Sequence, residues 1–274
     1  MQLIDSHCHL DFEVFDNDRA GLWQQAQHNG VAALLIPGVS PQQWPKAQII
    51  CQQLPHIAMA AGLHPWWVTS WRDAISMVGA MTTTPIIDSS ALHQLREAIA
   101  AQAHQPHCVA IGECGLDALI DTPIEQQQAV LEIQLALACE LKLPLIIHTR
   151  KTHQQVLTLL KYYRPTQGGV IHAFTGSQDI AERYWQLGFY LGVGGAMTYP
   201  RANKTRNAIA SMPLEALVLE TDAPDMPING RQGQANSPAF LPEIASCLAQ
   251  LTGIDIETVA SQTTANSRLL FGQW

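Results

Sequence analysis

Eight short apolar runs recur along the chain, each followed by a stretch of helical character, and this alternation limits the fold more than any single residue does. The runs cover residues 2–7, 31–37, 57–63, 108–112, 143–148, 169–172, 189–193 and 216–221. Short runs without strict polar alternation suit strands buried on both faces, as in parallel sheets whose crossovers are helices. Residues 123–141 show the complementary pattern, with Ile124, Val130, Leu131, Leu135, Ala138 and Leu141 on one helical face. Eight such units predict an α/β fold, a closed (β/α)8 TIM barrel, and 274 residues fall within the size of one barrel. No repeat, low-complexity tract or linker divides the chain, so residues 1–274 are expected to form a single domain.

One segment exceeds what a simple crossover needs. Residues 65–106 hold three tryptophans, the run Thr82-Thr83-Thr84-Pro85 and a helical pattern over 89–103, which predicts an excursion from the barrel. Near the C-terminus, 238–251 and 256–270 read as two helices, the second capped by Asp255.

In such barrels the chemistry gathers where strands end at the C-terminal face. His7 and His9 follow the first run at period two, so in a strand they share a face and could grip one ion. Eleven histidines in 274 residues give roughly 0.4 such pairs by chance, so the pair requires further ligands from other strands. The other histidines divide by position: His64, His148 and His172 also come at strand ends, whereas His28, His93, His104 and His153 lie in helical segments and His56 and His107 precede strands. Glu113 ends the fourth run between Gly112 and Gly115, and Asp222 ends the eighth. A carboxylate stranded on an apolar strand calls for a partner, and a cation is the obvious one.

Totals exclude several classes. A formal charge of −8 argues against a protein that coats nucleic acid without preference. Arg150, Lys151, Arg201, Lys204, Arg206 and Arg231 nevertheless all follow predicted strands; they form either solvated surface or a rim suited to a phosphate-bearing substrate. The six cysteines lack a Cys-x-x-Cys spacing and read as reduced thiols, with Cys8 and Cys114 facing away from the predicted ligands. No stretch is long and apolar enough to span a membrane, and Asp5, His7, His9 and Asp11 stand where a signal peptide needs basic residues, so a cytoplasmic setting is expected. Phe174 and the pair Trp66-Trp67 are either core or stacking surfaces for bases near the mouth.

Six stretches together resemble the TatD family of metal-dependent nucleases, within the wider amidohydrolase-like barrels. They are Asp5-Ser6-His7-Cys8-His9-Leu10-Asp11, Gly62-Leu63-His64-Pro65, Ile111-Gly112-Glu113, Leu143-Pro144-Leu145-Ile146-Ile147-His148-Thr149-Arg150, His172-Ala173-Phe174-Thr175-Gly176-Ser177 and Leu219-Glu220-Thr221-Asp222-Ala223-Pro224, in family order over nearly the whole chain. The resemblance implies two divalent metal ions, zinc, manganese or magnesium, with His7, His9 and Asp222 on one, His148 and His172 on the other, and Glu113 bridging. Departures fall in loops: Ala118-Leu119-Ile120 follows Gly115-Leu116-Asp117 where the family often has an aromatic residue, and Gln234 precedes Asn236-Ser237-Pro238 where it often has Arg.

The expected activity is deoxyribonuclease-like hydrolysis of phosphodiesters in single-stranded DNA or an oligonucleotide by a metal-activated water. Asp222 would accept the water's proton. His64 would hydrogen-bond the phosphate or assist the leaving oxygen, and is otherwise a structural loop residue. Two rivals remain at this level: an amidohydrolase or esterase acting on a small non-nucleic substrate, and a barrel that binds metal without catalysis.

Overall fold

The computed structural model describes residues 1–76 and 87–272. Its eight strands are β1 Leu3–Asp5, β2 Val31–Ile36, β3 Ile57–Ala61, β4 Cys108–Asp117, β5 Leu145–Arg150, β6 Gly169–Ile171, β7 Phe189–Val193 and β8 Leu217–Leu219. All neighbours pair in parallel and in sequence order, and all eight apolar runs are strands of this sheet. The ring closes just beyond the first and last strands. Ser6 N–H donates to Leu219 O at 2.9 Å and Asp222 N–H to His7 O at 2.8 Å. The buried Asp5 carboxylate reinforces this seam by accepting from Thr221 N–H at 2.9 Å and from its hydroxyl at 2.6 Å.

Period two along the strands separates two layers. Leu35, Ala60, Ala110, Ile146, Val170, Tyr190 and Val218, one from each of β2 to β8, form a cluster with Phe271. The alternate residues pack outward against the helices. Two residues beyond Ile146, Val170 and Val218 come His148, His172 and Glu220, so the polar layer of the site stands on the apolar filling of the barrel.

Among its described residues, the segment between β3 and β4 carries two α-helices, α1 Val68–Ser76 and α2 Ser89–Ala103, as the excess length predicts. The run Thr82-Thr83-Thr84-Pro85 lies outside the described residues. Asp88 caps α2 through Ala91 N–H at 2.7 Å. At the C-terminus, α3 Leu241–Thr252 and α4 Ile256–Phe271 follow one another, and Asp255 caps α4 through Thr258 N–H at 2.9 Å. No single described helix is long and apolar enough to cross a membrane.

Two strand boundaries differ from the sequence reading. β1 ends at Asp5 rather than His7, because the next residues leave the β2 register: Cys8 N–H reaches Leu35 O at 3.0 Å and His9 N–H reaches Ala223 O at 2.8 Å. β4 runs five residues past Gly112. A register shift between Ile111 and Cys114 lets Cys114–Asp117 pair with Ile147–Arg150, so Glu113 sits at a bulge inside the strand and not at its end. Gly115 permits this approach, since a Cβ there would lie 1.9 Å from His148 O. Replacing Gly115 with Ala is therefore expected to cost about 1–3 kcal/mol or more of stability, read as a lower urea midpoint.

Candidate metal centre

Five strands, β3, β4, β5, β6 and β8, and the segment after β1 deliver imidazoles and carboxylates to one cavity of about 560 Å³, lined by His9, His64, Glu113, His148, His172 and Asp222 among others. All six residues are buried or nearly so, and His7 lies fully buried beneath them. The sequence-predicted residues thus meet at the C-terminal mouth of the barrel.

Glu113 stands at the middle. Its Oε2 lies 3.2 Å from His7 Nε2, and its Oε1 lies 3.0 Å from His148 Nδ1 and 3.4 Å from His64 Nε2. The two oxygens therefore serve different imidazole groups. Asp222 holds the other flank: Oδ1 is 3.4 Å from His9 Nε2 and 3.6 Å from His7 Nε2, while Oδ2 is 3.4 Å from His172 Nε2. Its φ of +58° is a left-handed conformation that Asp tolerates better than most residues. Among the described residues, three groups of donor atoms are close enough to hold an ion: His7, His9 and Asp222; His7, Glu113 and His172; and His64, Glu113 and His148. His172 thus lies beside His7, the rings stacked 3.5 Å apart, while His148 lies beside His64.

The donor set fits cations. His7 Nε2 has carboxylate oxygens at 3.2 and 3.6 Å yet no hydrogen-bond partner, the arrangement expected of ligands converging on a shared ion rather than on each other. Ion pairs of Glu113 and Asp222 run to imidazoles, with no Lys or Arg among the described residues. Burial alone would raise Glu113, but His64, His7 and His172 hold it well below the usual carboxylate range. Asp222 is likewise held low by His172, His9 and His7 against the effect of burial. Both acids are thus charged acceptors in a dry site. Burial lowers His7, with His172 adding to the effect, and pulls His64 down to about 4.

Sequence reasoning left out the acids behind the imidazoles. Glu220 Oε1 lies 3.1 Å from His172 Nδ1 and accepts from Ala173 N–H at 2.5 Å. Gly192 leaves its space, since a Cβ there would come within 2.3 Å of Glu220 Oε2. Asp117 Oδ2 lies 3.3 Å from His148 Nε2. Both were within reach of the period-two rule: Glu220 shares a face with Val218, and Asp117 repeats Glu113 and Gly115 at intervals of two beyond the bulge. Such acids fix ring orientation. Glu220→Gln should therefore weaken divalent-ion affinity about 10- to 100-fold, measured by competition with a chromogenic chelator.

Other expectations meet mixed outcomes. Phe174 is core, only 2 % exposed, so it is no stacking surface. Of the six basic residues after strands, Arg150 lines the cavity. Arg206 donates to Met197 O at 2.7 Å, Arg231 pairs with Glu243 at 2.8 Å, and Arg201 lies over the Tyr199 ring, so these three are engaged by neighbouring groups. Cys8 and Cys114 are buried free thiols pushed upward by burial, as packed residues should be.

A family model described as TatD related DNase matches residues 4–272. The chain is 37% identical over 271 residues to the uncharacterized metal-dependent hydrolase YjjV of Escherichia coli (strain K12), covering 98% of each protein. The crystal structure of that TatD homologue superposes with a TM-score of 0.85, covering 98% of this chain and 97% of the other. A protein named 3'-5' ssDNA/RNA exonuclease TatD, from Rahnella sp. (strain Y9602), is 35% identical over 271 residues, covering 96% of this chain and 95% of its own length. An uncharacterized amidohydrolase from Saccharomyces cerevisiae shares the fold at 18% identity, with a TM-score of 0.83 over 99% of this chain and all of that one.

Proposed function

The chain belongs to the TatD family of metal-dependent hydrolases, and from that premise we propose that it hydrolyses phosphodiester bonds in single-stranded DNA or oligonucleotides. The observation that carries this reading is Glu113 at the bulge, one oxygen turned to His7 and the other to His148. By the family resemblance His7, His9 and Asp222 would hold one divalent ion and His148, His172 and Glu113 a second, whereas the donor atoms as they lie group His172 with His7 and Glu113, and His148 with His64 and Glu113. Four imidazoles favour zinc or manganese, while magnesium prefers an oxygen shell. Bound there, the ions would supply positive charge to the phosphate and a more acidic water.

The chain's own groups complete the chemistry. Asp222, held ionised, is placed to accept the proton of the attacking water. His64 Nδ1 accepts from Trp66 N–H at 3.1 Å, so in the neutral ring Nε2 carries the hydrogen and faces the cavity as a donor. That tautomer suits a hydrogen bond to a phosphate oxygen better than proton delivery to the leaving group. Arg150, exposed on the lip, supplies a cation for the next phosphate. Arg150→Ala is expected to raise KM for an oligonucleotide and to flatten the slope of log affinity against log salt by about 0.7. The proposal treats residues 1–274 as one catalytic domain, and places it in the cytoplasm because six free thiols suit a reducing compartment.

The test joins metal content to chemistry. Elemental analysis of freshly purified protein should find close to two ions per chain, and mononucleotide release from a single-stranded oligonucleotide should vanish on chelation and return with zinc or manganese. Hydrolysis of lactones and cyclic amides alone would favour the small-substrate reading and sink the nuclease one.

A further inference from the structure

Trp66 is half exposed, 51 %, at the lip of the metal cavity, an unusual place for a large indole. It also lines a second cavity of about 460 Å³, shared with Thr69, Arg72, Ile120 and Asp121. Leu119, 57 % exposed, precedes Ile120 and Asp121 in the loop that lines this second cavity.

The indole is nonetheless held in place. Its Nε1–H donates to Asp117 Oδ2 at 2.9 Å, and its backbone N–H donates to His64 Nδ1 at 3.1 Å. Behind it, Trp67 packs on the core with its ring 6.2 Å away and inclined by 23°. Asp117 also accepts from Leu119 N–H at 2.9 Å and lies 3.3 Å from His148 Nε2, so one buried acid ties Trp66 and Leu119 to the metal centre. The adjoining cavity offers little to a phosphate, because Arg72 is already engaged by Asp73 at 2.7 Å and Gln126 at 3.1 Å. A flat indole held in place fits a ring and not an anion.

We propose that Trp66, flanked by Leu119 and Ile120, is a base-stacking platform that holds the nucleobase beside the scissile phosphate. This rests on the nuclease reading and adds a specificity-determining residue to it. The Trp66 ring centroid lies 5.5 Å from that of His64, so a base stacked on it belongs to the nucleotide flanking the phosphate His64 contacts. Recognition by stacking is tolerant of base identity, which makes the presence of a base, rather than its sequence, the quantity selected.

Steady-state kinetics on the metal-loaded enzyme test this with two substrates: a single-stranded thymidine octamer, and the same octamer with tetrahydrofuran abasic units at both ends. Wild type should favour the base-bearing substrate by about 10- to 100-fold in kcat/KM, carried by KM. Trp66→Ala should lose that preference, Trp66→Leu should fail to restore it, and Trp66→Phe should keep most of it. Tyr162→Ala, which removes an exposed aromatic on another face, should leave it intact. A preference that survives in Trp66→Ala, or variants that slow both substrates equally, would overturn the platform while leaving the nuclease reading in place. Failure of wild type to cut either octamer while it hydrolyses lactones would instead remove the nuclease reading, and the platform with it.

Discussion

Asp222→Asn is expected to reduce turnover by 10³-fold or more while leaving the barrel folded. Loss of a general base typically costs about 10²- to 10⁴-fold, and here the same carboxylate also faces His7, His9 and His172. Asn is the informative replacement because it keeps the size, retains an oxygen and tolerates the left-handed φ of +58°, whereas Ala would add backbone strain. Circular dichroism should show an unchanged spectrum, and elemental analysis would separate loss of metal from loss of the base. A variant that hydrolyses at the wild-type rate would rule out the role assigned to Asp222.

Chelation should lower the thermal midpoint by about 10 °C. Glu113 and Asp222 are held ionised in a buried cavity where their ion pairs run to imidazoles, so bound ions would add ligand bonds that the bare protein lacks. Ligand at 1,000 times its Kd stabilises by about 4 kcal/mol, and about 2–4 °C per kcal/mol is usual for chains of this size. Differential scanning fluorimetry with and without a chelator measures the shift. Glu113→Gln should shrink it, and identical midpoints for the treated and untreated wild type would show that no ion contributes to folding.

Much of this architecture was legible in the sequence because its determinants are local. Period and run length marked all eight strands, and position at strand ends separated the histidines of the mouth from those in helices. What escaped depends on neighbours. The bulge at Glu113 arises from how β4 meets β5, where Gly112 and Gly115 allow backbone contact, and nothing in the single run at 108–112 encodes it. Phe174 reads equally well as core or lip until the strands behind it are placed. Arg206, Arg201 and Arg231 have partners close by, which charge counting ignores. Asp117 and Glu220 differ from these: the alternation rule that paired His7 with His9 also reaches them.

The seam between β1 and β8 ties the timing of assembly to the chemistry. The contacts of His7 O and His9 N–H lie with Asp222 and Ala223, more than two hundred positions later in the chain. A nascent chain, or a fragment cut anywhere before β8, therefore carries histidines without the acid that completes them. The set of acids and imidazoles at the mouth is therefore complete only once β8 has joined β1.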